Sequence, residues 1–165
     1  MIRSMRHGPK PPLGGKAVIK GKGRQCAALC YRASAKGGVK VLLITSRGIA
    51  RWVLPKGWHE PLVPAHEAAA AEAWEEAGVR GRISTKCLGK YGYDKWRPDA
   101  PPIPCRVAVY PMAVTRLEQD YPEKGQRRRK WVSPSKAAKL VIEPELAQML
   151  QGFRPRKPSC GKQST

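Results

Sequence analysis

The apolar residues of this chain come in short blocks set apart by glycine, proline and charge. Residues 24–32, with Cys-Ala-Ala-Leu-Cys-Tyr at their centre, read as a strand, residues 34–38 as a turn, and Val39–Thr45 (VKVLLIT) as a strand apolar enough to be buried. Residues 51–54 form a short strand that Pro55 ends, because proline has no N–H to give a sheet. Residues 64–77 are the clearest helix, with a proline near the start, a run of alanines, and Gly78 as the stop. Residues 80–93 and 103–115 read as strands joined by the proline-rich stretch RPDAPPIP. Arg129–Val132 is a last short strand. Ser133 then caps a helix that carries Pro134 at its first position, and Pro144–Gln151 is a further helical piece. Strands on both sides of a central helix, followed by terminal helices, predict an α/β layered fold.

A chain of 165 residues accommodates one domain with a real core, and a hydrophobic share of 41% is normal for a globular one. The folded domain is expected over residues 23–152. Residues 1–22 read as a flexible basic arm rich in Gly, Pro, Lys and Arg, and residues 153–165 as a basic tail of the same character. No apolar run reaches the roughly 18 residues that span a bilayer, and no apolar segment with a cleavage site follows the basic start, so neither a membrane partner nor a secretory signal is expected. The five cysteines form no CxxC pair and no zinc-like spacing with histidine, which favours unpaired thiols in a reducing cytoplasm. His59 and His66 read as surface histidines, since no spaced third ligand joins them. Thirty-two Lys and Arg against twelve Asp and Glu leave +20, a balance that suits a polyanionic partner. That partner is a phosphate-rich small molecule or, as second choice, nucleic acid. The competing reading is a solubilising surface with basic tails. The pattern suits monomer and dimer alike.

Glu72, Glu75 and Glu76 stand at i, i+3 and i+4 of the predicted helix, so one helical turn carries three carboxylates on one face. The helix offers no cation to balance them. Such a cluster suits a hard divalent metal, which takes oxygen ligands; a solvated acidic face is the bland alternative. The loop Pro55-Lys56-Gly57-Trp58 precedes the helix and Gly78-Val79 closes it. In this register the sequence resembles the Nudix box, G-x5-E-x7-R-E-U-x-E-E-x-G-U. Gly57 fits the first glycine, the three glutamates fit the core acids, Ala73 stands at an aliphatic position, and Gly78-Val79 fit the close. Two positions depart: Val63 replaces the first glutamate and Ala71 the arginine. Losing both together strands no charge, and the pair is read as a polar brace exchanged for apolar packing.

The resemblance implies a Nudix-type α/β/α sandwich with a mixed central sheet. It also implies hydrolysis of a phosphoanhydride bond by direct attack of water on phosphorus. Mg²⁺, or Mn²⁺, would be held by Glu72, Glu76 and Glu75 with the backbone carbonyl of Lys56 or Gly57, and Glu75 would be the base, with Glu72 beside it in the chemistry. Over about residues 24–152 the blocks CAALCYR, VLLITS, RWVLPKG and QRRRKWVSPSKAAKL resemble the diphosphoinositol polyphosphate phosphohydrolase branch, members of which also cleave diadenosine polyphosphates. The branch pattern implies that Lys22, Arg24, Ser46, Arg47 and Arg128, with Arg127 and Arg129 beside it, hold substrate phosphates, and the Lys56 side chain could join them. Arginine suits that task because its planar fork grips phosphate through two hydrogen bonds. Trp58 or Tyr93 could stack on an adenine. Tyr91 and Tyr93, alternating on a strand, would share a face and line the cleft. Two other readings follow from the charge and from Ala71: a basic protein that binds RNA or polyphosphate without cutting it, or an enzyme acting on the 5′ end of RNA.

Overall fold

The structure is a computed structural model, and residues 23–155 of it are described. Eight strands form one mixed sheet: β1 (Gly23–Ala33), β2 (Val39–Thr45), β3 (Trp52–Val53), β4 (Lys56–Trp58), β5 (Val79–Ile83), β6 (Gly89–Lys95), β7 (Ile103–Leu117) and β8 (Arg129–Val132). The helices are α1 (Ala65–Ala77), α2 (Pro134–Leu140) and α3 (Pro144–Gln151). β1 and β7 run parallel through the middle of the sheet, and every other pairing is antiparallel. The expected α/β sandwich is therefore present, with α1 on one face of the sheet and α2 and α3 on the other.

Each face has its own core. Cys26, Ala28 and Cys30 of β1 meet Leu42 and Ile44 of β2 and the alanine face of α1, Ala69, Ala73 and Ala77. The alternate residues Ala27 and Leu29 meet Val41, Leu43, Tyr91, Val107 and Val109 under Leu146 and Leu150 of α3. Strand alternation thus sorts one strand's side chains between two helical layers. Phe153, expected in the tail, is buried in this second core and packs edge-on against Tyr31, so the apolar layer runs past Gly152.

Three expectations need correction. The single strand over residues 80–93 is two strands. β5 pairs with residues 112–117 of β7 and β6 with residues 103–109. Between them the Ser84 hydroxyl accepts a hydrogen bond from the Lys86 N–H, a side-chain-stabilised turn that breaks the extended run. The loop at Pro55–Trp58 contains β4, which pairs Lys56, Gly57 and Trp58 with Ala27, Cys26 and Gln25 of β1. The strand over residues 51–54 is shorter, Trp52–Val53, because the chain must turn back at Leu54 and Pro55, whose carbonyl accepts from the Ala28 N–H. Ser133 caps α2 as expected, accepting from the Lys136 N–H at 3.2 Å.

Candidate active site

β1 pairs with β2 at Tyr31–Ala33 and with β4 at Gln25–Ala27, so the sheet parts between its two partners. α1 packs over β1, β4, β5 and β7. Its end is fixed by Gly78 in the left-handed conformation (φ 68°), whose N–H reaches the Trp74 carbonyl at 3.0 Å; a Cβ there would press on Tyr121 and the Glu118 carbonyl. Six residues earlier, the Glu72 carboxylate lies against β4 at Gly57. A Cβ on Gly57 would meet Glu72 Oε1 at 2.2 Å, so only glycine allows this approach.

Glu76 is 6% exposed and hydrogen-bonded to Glu72, which is partly buried; Glu75 is exposed. Burial and the neighbouring Glu76, Glu75 and Glu123 charges push the Glu72 carboxyl well above the usual carboxylate range. Burial raises Glu76 as well, against the pull of Arg127 and Lys56. Two neighbouring oxygen-donor side chains, both made reluctant to ionise by burial, form a donor set that a hard divalent cation fits. Among the described residues no group of three or more His, Cys, Asp and Glu side chains is placed to hold a metal ion, so Glu75, exposed on α1, does not close a three-acid set with this pair.

Of the three successive arginines, it is Arg127 that reaches the carboxylates. Its buried guanidinium lies 3.5 Å from Glu76 and 3.5 Å from Glu123 and donates to the Thr45 carbonyl at 3.2 Å. Arg128 is exposed, with its guanidinium 5.5 Å over the Trp52 ring and its N–H bonded to the Thr45 hydroxyl. Arg129 turns back to the Ala77 and Glu118 carbonyls at 2.9 and 3.0 Å and braces the end of α1. Glu123, which the sequence reading did not single out, sits between Arg127 and Arg47 (4.0 Å), and its N–H bonds the Glu75 carbonyl. No box position marks it; only its place as the lone acid just before the arginine run sets it apart.

Lys56 projects to the opposite face of β4, where its Nζ stands 5.0 Å over the Tyr93 ring. Burial and nearby Lys95, Arg51 and Arg127 lower its pKa to about 8, while Glu76 resists the shift. Tyr93 donates to Gln25 at 2.7 Å. Tyr91, expected beside it in the cleft, is 0% exposed and belongs to the core, its hydroxyl without a hydrogen-bond partner among the described residues. Trp58 is partly buried and lies over Gly23, where a Cβ would meet the indole at 2.6 Å.

Of the remaining expected residues, Arg24 is exposed on the face of β1 that also carries Cys26, the side on which Glu72 lies. The Ser46 hydroxyl accepts from the Arg51 N–H at 3.1 Å and so closes the β2–β3 turn. Lys22 lies outside the described residues. His59 contacts the Val63 carbonyl at 2.7 Å and His66 packs near Tyr110, so both are structural. Val63 is 38% exposed and Ala71 is exposed, so they are not an apolar pair; the loop before α1 is held by His59 and by the Val63 N–H to the Glu60 carbonyl.

The NUDIX domain family matches residues 23–153. The chain is 33% identical over 133 residues to Nudix hydrolase 21, chloroplastic, of Arabidopsis thaliana, covering 80% of this chain and 65% of that protein. It is 31% identical over 135 residues to diphosphoinositol polyphosphate phosphohydrolase 3-beta of Bos taurus, covering 79% and 77%. Among solved structures its fold is similar to a C. elegans Ap4A hydrolase (TM-score 0.57, 22% identity, 78% and 93% covered). It is also similar to the E. coli dihydroneopterin triphosphate pyrophosphohydrolase (TM-score 0.59, 17% identity, 79% and 93% covered). A family match across nearly all of the described residues, with a helix that sets the box acid Glu72 against β4, makes this chain a member of the Nudix hydrolase family of enzymes.

Proposed function

We propose that the chain hydrolyses a phosphoanhydride bond in a nucleoside- or inositol-linked polyphosphate, with Mg²⁺ held by Glu72, Glu76 and Glu75. The observation that supports this most is the contact between Glu72 and Glu76 in a buried setting, with Arg127 and Lys56 beside them. The bound cation would offset substrate charge, orient a phosphate and make water a better nucleophile. Glu75, exposed on α1, would take the proton from the attacking water. Arg127 and Lys56 would hold the phosphates on either side of the scissile bond, with Arg47, Arg128 and Arg24 receiving the outer ones. The names of the relatives favour diphosphoinositol polyphosphates and dinucleoside polyphosphates as the first substrates to try. Four unpaired thiols, Cys26, Cys30, Cys87 and Cys105, suit a reducing cytoplasmic setting.

Purified protein given Mg²⁺ and a panel of both substrate classes, nucleoside triphosphates and 5′-triphosphate RNA should cleave at least one, and Glu75→Gln should lose about 100-fold or more in kcat. Equal turnover by that variant would remove Glu75 from the chemistry. The charge of +20 supports one other reading, a polyanion-binding protein without catalysis. Tight, steeply salt-dependent RNA binding with no cleavage of any panel member would select it.

A further inference from the structure

We propose that Arg51 grips a substrate phosphate in this cleft and that Glu143 holds its guanidinium in position for the task. The proposal rests on the hydrolase reading of the cleft and adds to it a wall contributed by the β2–β3 turn and the start of α3. Arg51 stands immediately before β3, a few residues upstream of Lys56. Its carbonyl accepts from the Ser46 N–H at 2.7 Å and its N–H donates to the Ser46 hydroxyl at 3.1 Å, so both of its backbone polar groups are fixed. The side chain runs toward Tyr93, with the guanidinium carbon 5.9 Å from the ring centroid that Lys56 Nζ approaches to 5.0 Å. Two cations thus converge on one tyrosine, and Lys56 links that place to Glu76. Like charges gathered in a partly enclosed space repel, and an anion between them relieves the repulsion.

The carboxylate that pairs with Arg51 is unusual. Glu143, the residue before α3, is 5% exposed, while the Arg51 side chain is 24% exposed. Glu143 Oε1 accepts from Arg51 Nη1; Glu143 Oε2 has no partner among the described residues, and neither does the buried hydroxyl of Tyr91. A buried ion pair contributes little net stability against well-packed apolar replacements, less so when one oxygen goes unpaired. What the pair does achieve is direction. Arginine carries five N–H donors in a rigid fork. Glu143 takes the only side-chain hydrogen bond that Arg51 makes among the described residues, so other donors of the fork face the partly open side, where a phosphate can be bound through two of them.

The alternative is a staple that merely ties the β2–β3 turn to the C-terminal helices. The two are separated by calorimetric binding of inositol hexakisphosphate, which carries many phosphates but no anhydride bond, to the full chain. Arg51→Met with Glu143→Leu removes the pair without leaving a buried charge, and Arg82→Met, an exposed cation on β5, controls for lost charge. The expected result is a weakening of about tenfold or more in Kd for the double variant, a change within about twofold for the control, and an unchanged or higher thermal midpoint. Arg51→Lys retains the charge but loses the fork, and should weaken binding several-fold even if the double variant fails to fold. Binding by the folded variants that stays within about twofold of the control overturns the proposal. Because the probe cannot be cut, failure of the wild-type protein to hydrolyse any substrate would refute the enzyme reading and leave this measurement intact.

Discussion

At the residue scale, the site depends on what Gly57 lacks. Glu72 occupies the volume that any Cβ at this position would need, at 2.2 Å, so Gly57→Ala must push the carboxylate aside or distort β4. The expected outcome is a folded protein, checked by circular dichroism, with kcat/KM down about 100-fold, the scale of a misplacement near one ångström. The acids also predict a pH effect. Burial raises the folded-state pKa of both acids, with the Glu76 charge adding to the shift of Glu72 and the Glu123 charge to that of Glu76, to about 8 for Glu72 and about 7 for Glu76. A carboxyl raised in this way binds its proton more tightly when folded. Its stabilising contribution is therefore full below the unfolded value near 4.5 and is lost as pH rises through 7 and 8. Chelator-treated protein should melt at a lower temperature at pH 8.5 than at pH 6, and added Mg²⁺ should raise the midpoint more at the higher pH. A midpoint independent of pH over that range, with or without metal, would contradict the burial of these two acids.

At the scale of elements, α1 is held at its end by a residue remote in the chain. Arg129 at the start of β8 donates to the Ala77 and Glu118 carbonyls, so Arg129→Met should cost about 2 kcal/mol in urea unfolding, while the neighbouring exposed Arg128→Met should cost almost nothing. The contrast explains which parts of the architecture were readable. Val39–Thr45, Arg129–Val132 and Pro144–Gln151 carry their own boundaries, a glycine, a proline or a cap, and appear where expected. β4 does not, because Lys-Gly-Trp has no strand preference of its own and becomes a strand only through the edge of β1 beside it. The acids of α1 were legible because helical spacing is local. Which of three successive arginines would face them was not, since that depends on where β8 enters the sheet. Glu123 and the Arg51–Glu143 pair were invisible for the same reason, their contacts being made between distant stretches of chain.

Over the whole molecule, the sheet divides the work: one face carries α1 and its acids, the other carries Tyr93, Lys56 and Arg51, and the two meet where β1 exchanges β2 for β4. The strand that makes this possible finds its parallel neighbour late. Gly23 pairs with Cys105 and Tyr31 with Ala113. During synthesis, β1 leaves the ribosome long before the stretch that will lie beside it, and β2 and α1 must wait with their apolar sides incompletely covered. Such remote pairing is slow to form in the test tube and leaves the nascent chain open to aggregation or chaperone capture until Ala113 has emerged.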